Sequence, residues 1–185
     1  VQTCALPIWA TLWLSGREYA PEPDGAIIVP FSTNPGEQKV VLREGNLCSL
    51  ARFRHQAERY HLSAGFYVDR ESLLKGMRAN VLVRPELTVN GHPAALSLLE
   101  GVRLSVESTD GDGVSTSQEV SDFALYEDRE SVHEFQVPEN LAALRFTLKA
   151  EIQNISQNEK QPLSADYECR INGIDATLHV HDLFL

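Results

Sequence analysis

The chain is poor in sulfur and in cations. Its 185 residues include three cysteines and one methionine, and 16 Lys plus Arg stand against 26 Asp plus Glu, for a formal net charge of -10. A nucleic-acid or anionic-membrane surface needs clustered Lys and Arg, so this balance argues against both partners. No run approaches the ~18 uninterrupted apolar residues that span a bilayer. The cysteines, Cys4, Cys48 and Cys169, are far apart and lack metal-ligand spacing. Cys48 and Cys169 fit one bridge in an oxidising compartment or two small buried hydrophobes, and the second reading is preferred. There is no Gly-rich phosphate loop, and Ser, His and Asp occur in no nucleophile-elbow or triad context. Only two tryptophans occur, Trp9 and Trp13, so no aromatic platform is evident.

What is present is alternation. Between Phe66 and Ile152 apolar residues recur at every second position and then give way to turns. Val102, Leu104 and Val106 alternate with Arg103, Ser105 and Glu107; Phe146, Leu148, Ala150 and Ile152 alternate with Arg145, Thr147, Lys149 and Glu151. Strand side chains point to opposite faces with period two, so each run has one apolar and one wetted face. That pattern predicts an all-β protein built as an antiparallel sandwich, because strands of a doubly buried parallel sheet would be apolar throughout.

From the front, Val1 to Ile8 (VQTCALPI) matches the translation of a common sequencing adapter, and these eight residues are set aside as an artefact. Trp9 is then expected to begin an interior piece of a longer product, and the end at Phe184-Leu185 suggests truncation there too. Residues 9–64 read as a partial β domain. Thr11 to Leu14 is a short apolar strand, Pro21, Pro23, Asp24 and Gly25 form a turn cluster, and Ile27 to Val29 ends against Pro30. Lys39 to Arg43 resumes as a strand after the Asn34-Pro35-Gly36 turn. Leu47, Leu50, Phe53 or Arg54, Ala57 and Tyr60 fall at three-to-four spacing behind Asn46, a plausible N-cap, and predict a short helix; a loop with aromatic anchors accounts for Phe53 and Tyr60 equally.

Tyr60 to Val68 alternates again and leads into the second domain, 65–185, although that run also reads as one strand shared by a larger sandwich. Asn90-Gly91 and Asn172-Gly173 each supply the positive φ angles of a two-residue type I′ hairpin. Pro85 cannot donate to a ladder, which places its strand at an edge or at a bulge. The polar stretch from Gln153 to Leu163 reads as a loop.

Several residues are of site-forming type. Asp110 and Asp112 with their glycines suit Ca²⁺ in residue type, but a third ligand position and a Glu at the twelfth are missing, so a plain hairpin turn is expected. His179 and His181 share a face of the last strand without a third ligand, which reads as a solvated face. His133 alternates onto the face of Phe135 and Val137, as a partly buried core histidine does. Asn154-Ile155-Ser156 is a glycosylation sequon, relevant where the host glycosylates. No residue is assigned a catalytic, cofactor-binding or metal-binding role, and no cofactor is expected.

Phe66 to Val83 (FYVDRESLLKGMRANVLV) resembles the opening of macroglobulin domains of the alpha-2-macroglobulin family, with Asp69-Arg70-Glu71 in the place of its Asp-Lys-Pro segment and Leu74-Lys75-Gly76 in that of its Tyr-Arg-Pro-Gly segment. Asn90 to Pro93, Val102 to Glu107, Asp110 to Gly113, Glu134 to Pro138 and Leu144 to Ile152 are similar to that domain's later turns and strands. Neither family proline is present, so other Ig-like sandwiches compete. The resemblance implies a non-catalytic scaffold or interaction segment of a larger secreted, periplasmic or cell-surface protein, with neighbouring domains of the same chain as partners and a protease as partner of the whole. Further sandwiches of about 100 residues would then flank this one. Asn34-Pro35-Gly36-Glu37-Gln38 is no thioester site, because proline offers no sulfur where that family's motif has its cysteine. The alternative is a ligand- or carbohydrate-binding or adhesin sandwich.

Overall fold

A computed structural model describes residues 10–171. Among them lie twelve strands: β1 Thr11–Leu14, β2 Arg17–Tyr19, β3 Gly36–Glu44, β4 Leu47–His55, β5 Tyr60–Val68, β6 Arg78–Val89, β7 His92–Ala94, β8 Leu99–Asp110, β9 Ser115–Ser121, β10 Ser131–Gln136, β11 Leu141–Asn154 and β12 Glu159–Arg170. Two single 3-10 turns, Arg70–Ser72 and Leu96–Leu98, complete the regular structure. Every pairing whose register is defined is antiparallel. The chain is all-β, and it divides into two compact units: one runs to Arg59 and takes in Asn154–Glu159, the other begins at Tyr60.

The second unit is an Ig-like sandwich. One sheet has the order β10-β6-β5, with β7 also on β6; the other has the order β12-β11-β8-β9. Alternation on each sheet delivers one apolar face, and these faces meet. Leu62, Val81, Val83 and Phe135 from the first sheet join Leu104, Leu144, Phe146 and Leu148 from the second in one buried cluster. Phe146 ties the layers together, its ring 5.7 Å from that of Phe135 in an edge-to-face contact and 6.1 Å from that of Phe66. Val89 pairs with His92 across Asn90-Gly91, and both turn residues have positive φ, +50° and +83°, as a type I′ turn requires.

The first unit contains one sheet of order β2-β1-β3-β4. Its inner face buries Leu12, Leu14 and Val40 under Ile27 and Val29. The stretch around Ile27 makes only isolated bridges, at Ala26 and Val29, so the expected strand there is instead an irregular cover whose alternate residues still point inward.

Three further local expectations are corrected. The helix predicted behind Asn46 is strand β4. Glu44 pairs with Leu47 across Gly45-Asn46, where Gly45 adopts φ +58°, so Asn46 closes a two-residue hairpin and does not cap a helix. The polar stretch after Gln153 is not one long loop. β11 runs to Asn154 and β12 starts at Glu159, so most of it is strand whose polar residues lie on the solvated face of a strand at the end of its sheet. Pro85 sits in the middle strand of its sheet, in unbroken register with Ala64 and with no bulge. It is tolerated because β10 accompanies β6 only from Arg78 to Val83 and β7 only from Leu87 to Val89, leaving 84–86 unpaired on that side.

Candidate interaction surface

Of the residues singled out as sites, those that are described have structural roles. Asp110 Oδ1 accepts hydrogen bonds from the backbone N–H groups of Asp112, at 3.0 Å, and Val114, at 2.8 Å, so this carboxylate shapes the β8-β9 turn. No cluster of potential metal ligands occurs among the described residues. His133 is half-buried on β10, and its Nε2 is enclosed without a hydrogen-bond partner. Burial lowers its pKa below the ordinary imidazole value, opposed by the neighbouring Glu134 carboxylate. His179, His181 and the Asn172-Gly173 turn lie outside the described residues, as do Trp9 and residues 1–8. Cys48 and Cys169 are free thiols; Cys169 is buried, but Cys48 is exposed and so is not the buried hydrophobe expected.

The sequon has a role that its motif does not announce. Asn154 is 1% exposed. Its Nδ2 donates to the Glu58 carbonyl at 3.1 Å, and its Oδ1 accepts from Ser156 Oγ at 2.8 Å and the Gln157 N–H at 3.1 Å. The Ser156 N–H donates in turn to Glu58 Oε2 at 2.9 Å. The nitrogen that a glycan would occupy is enclosed in this network, so both polar sequon side chains serve the packing of the first unit.

The gap beside Pro85 opens a hollow of about 520 Å³. The protein's own loop clamps it: Arg84 lies 3.6 Å from Glu130 and donates to the Glu127 carbonyl at 3.4 Å, while Glu127 Oε1 accepts the Leu96 N–H at 2.6 Å.

A different arrangement occupies the outer face of the first unit's sheet. Leu12, Leu14 and Val40 point inward, so Trp13 and Val41 point outward, and the register sets Trp13 beside Val41 and Val41 beside Leu50. This apolar row crosses three strands and is exposed, Trp13 to 40% and Leu50 to 68%. Arg43 and Cys48 pair on one side of it; Lys39 with Arg52, then Glu37 with Arg54, pair on the other. Glu37 binds Arg52 at 2.9 Å. Trp13, Val41, Arg43 and Cys48 line a hollow of about 520 Å³. The composition had left Trp13 as one of only two tryptophans with no platform. The signal was in the alternation: inward Leu12 and Leu14 oblige the residue between them to face out. What the sequence could not convey was the register that sets Val41 and Leu50 beside it.

No helix among the described residues is long and apolar enough to cross a membrane. Residues 69–177 match the profile of the AbpF third immunoglobulin-like domain. Actin-binding protein F of Dictyostelium discoideum is 30% identical over 184 residues, covering 95% of this chain and 8% of that protein. The chain therefore spans less than a tenth of that relative's length. The strand-and-turn pattern read as macroglobulin-like is met at its coarser level, an Ig-like sandwich. With more than half of its residues under one profile and the sandwich that the profile describes in place, the chain belongs to the family of the AbpF third immunoglobulin-like domain.

Proposed function

We propose that this chain is a non-catalytic protein-interaction module of a larger protein, and that actin filaments are its partner. The observation that carries this reading is the 30% identity across 95% of the chain to a protein named for binding actin. The apolar, cation-flanked outer face of the first unit supports it, because aromatic and Arg side chains are enriched at interface cores. Neighbouring domains of the same chain are the other partners this reading admits. The test is co-sedimentation of the 185-residue chain with filamentous actin. Saturable pelleting is expected, and its absence at low salt and high actin overturns the assignment.

The macroglobulin-like reading, with a protease as partner and a secreted, periplasmic or cell-surface location, has only strands and turns behind it, which Ig-like sandwiches share. Carbohydrate binding would use stacked rings on a flat face. Here Trp13 is flanked by Val41 and Leu50, aliphatic side chains better suited to a protein surface.

A further inference from the structure

We propose that the outer face of the β2-β1-β3-β4 sheet is the docking surface of this module, and that its occupant is an acidic protein segment with an apolar side chain between carboxylates. The proposal rests on reading the chain as a protein-interaction module and adds where it binds and what chemistry it recognises.

Charge carries the argument. The chain as a whole has ten more acidic than basic residues, yet this face inverts the sign. Its strands turn Lys39, Arg43, Arg52 and Arg54 outward against Glu18 and Glu37. Lys39 and Arg52 stand directly opposite each other, an arrangement that costs stability in an isolated sheet. Glu37 relieves Arg52 alone; Lys39, Arg43 and Arg54 have no ion-pair partner among the described residues. An incoming carboxylate would offset this repulsion.

Geometry narrows the occupant. The Trp13–Val41–Leu50 row lies between Arg43 and Lys39, which are four residues apart on β3 and so about 13 Å from each other. A segment with carboxylates two residues before and after an apolar residue, in extended form, spans that distance with its apolar side chain over the row. Trp and Arg are the side chains that most often dominate binding when they sit at the middle of an interface. Nucleic acid and anionic lipid fit less well, because the rest of the chain repels an extended polyanion or a charged plane.

The experiment uses the ¹⁵N-labelled 185-residue chain and, as probe, a capped peptide that repeats Glu-Ser-Leu-Ser-Glu twice. Amide shift changes confined to β1, β3 and β4 are expected, with no binding of the peptide in which Lys replaces Glu. Lys39→Glu combined with Arg54→Glu should weaken binding by about tenfold or more. Leu50→Ser, a change at an exposed side chain, should weaken it by a comparable factor. Shift changes centred on the second unit, indifference to the charge reversals, or binding to phosphatidylserine but not phosphatidylcholine vesicles in place of the peptide would overturn the proposal. Actin pelleting separates this inference from the broader assignment. Filaments that ignore the chain while the peptide still binds this face remove actin as partner and keep the face. Filaments that bind the doubly reversed variant as well as the parent remove the face and keep actin.

Discussion

In β11 every second residue from Leu144 to Ile152 is at most 3% exposed, whereas β3 carries the unbroken apolar run Val40-Val41-Leu42 and fully buries only Val40. The difference lies in what covers each strand. β11 has a whole second sheet across from it, and its alternate side chains interlock with those of β5, β6 and β10. β3 has an irregular segment carrying Ile27 and Val29 over its inner face, and solvent over Trp13, Val41 and Leu50 on the other. The same two-faced strand geometry therefore makes a packed core in one unit and, where apolar residues fall on both faces, an exposed apolar row in the other. A sheet whose outer face keeps a tryptophan between cations is better suited to contact than one whose apolar residues are consumed by its own core.

The sharpest way to break this comparison is through the cores. Phe146→Ala removes the ring that joins the two layers and should cost about 3–5 kcal/mol in urea unfolding. Val40→Ala should cost only about 1–2 kcal/mol, because fewer buried atoms surround it. Equal losses would mean that the smaller cluster is as consequential as the larger.

Next in size is Asn154→Ala, which strips three hydrogen bonds from a buried site and should cost about 2 kcal/mol. The same network predicts that the folded chain, incubated with a glycosylating extract, keeps its mass; a gain of glycan at Asn154 would show that the side chain is accessible.

Asn90→Ala should cost about 1 kcal/mol by placing a Cβ residue without Asn's local hydrogen-bonding at φ +50°, and Asn90→Gly should be tolerated. Thermal unfolding reads both.

The smallest effect concerns pH. Because burial lowers the His133 pKa, the unfolded chain takes up this proton more readily than the folded one. Its contribution is therefore fully retained above the ordinary imidazole value and lost as pH falls through the lower, folded one. His133→Gln should flatten the acid side of the stability profile. An unchanged profile would place the imidazole in open solvent.

Much of the second unit was legible from residues alone. Phe146, Leu148, Ala150 and Ile152 declare their face by alternation, and Asn90-Gly91 declares its turn because few other pairs accept two positive φ angles. Leu47 to Tyr60 was not legible, since Leu47, Leu50 and Ala57 match a helical spacing as well as a strand with exposed apolar residues; the two-residue turn at Gly45 decides it. Polar Glu159 to Gln161 hid the start of β12, because a strand at the end of a sheet needs no apolar pattern to pair. The docking face was half legible: Trp13 is outward by alternation, but its neighbours come from strands about 30 residues away.

The order of apolar and polar side chains along this chain determined by itself that it would be β, where its clearest turns fall and which side of the strands around Leu104 and Phe146 avoids water, because those properties depend on neighbours one or two residues away along the backbone. Tertiary structure alone decided that Phe146 meets Phe66 and Phe135, that Asn154 closes over Glu58, and that Trp13, Val41 and Leu50 form one row among cations. Each of those depends on strand order and register, which arise when distant segments compete for the same partners.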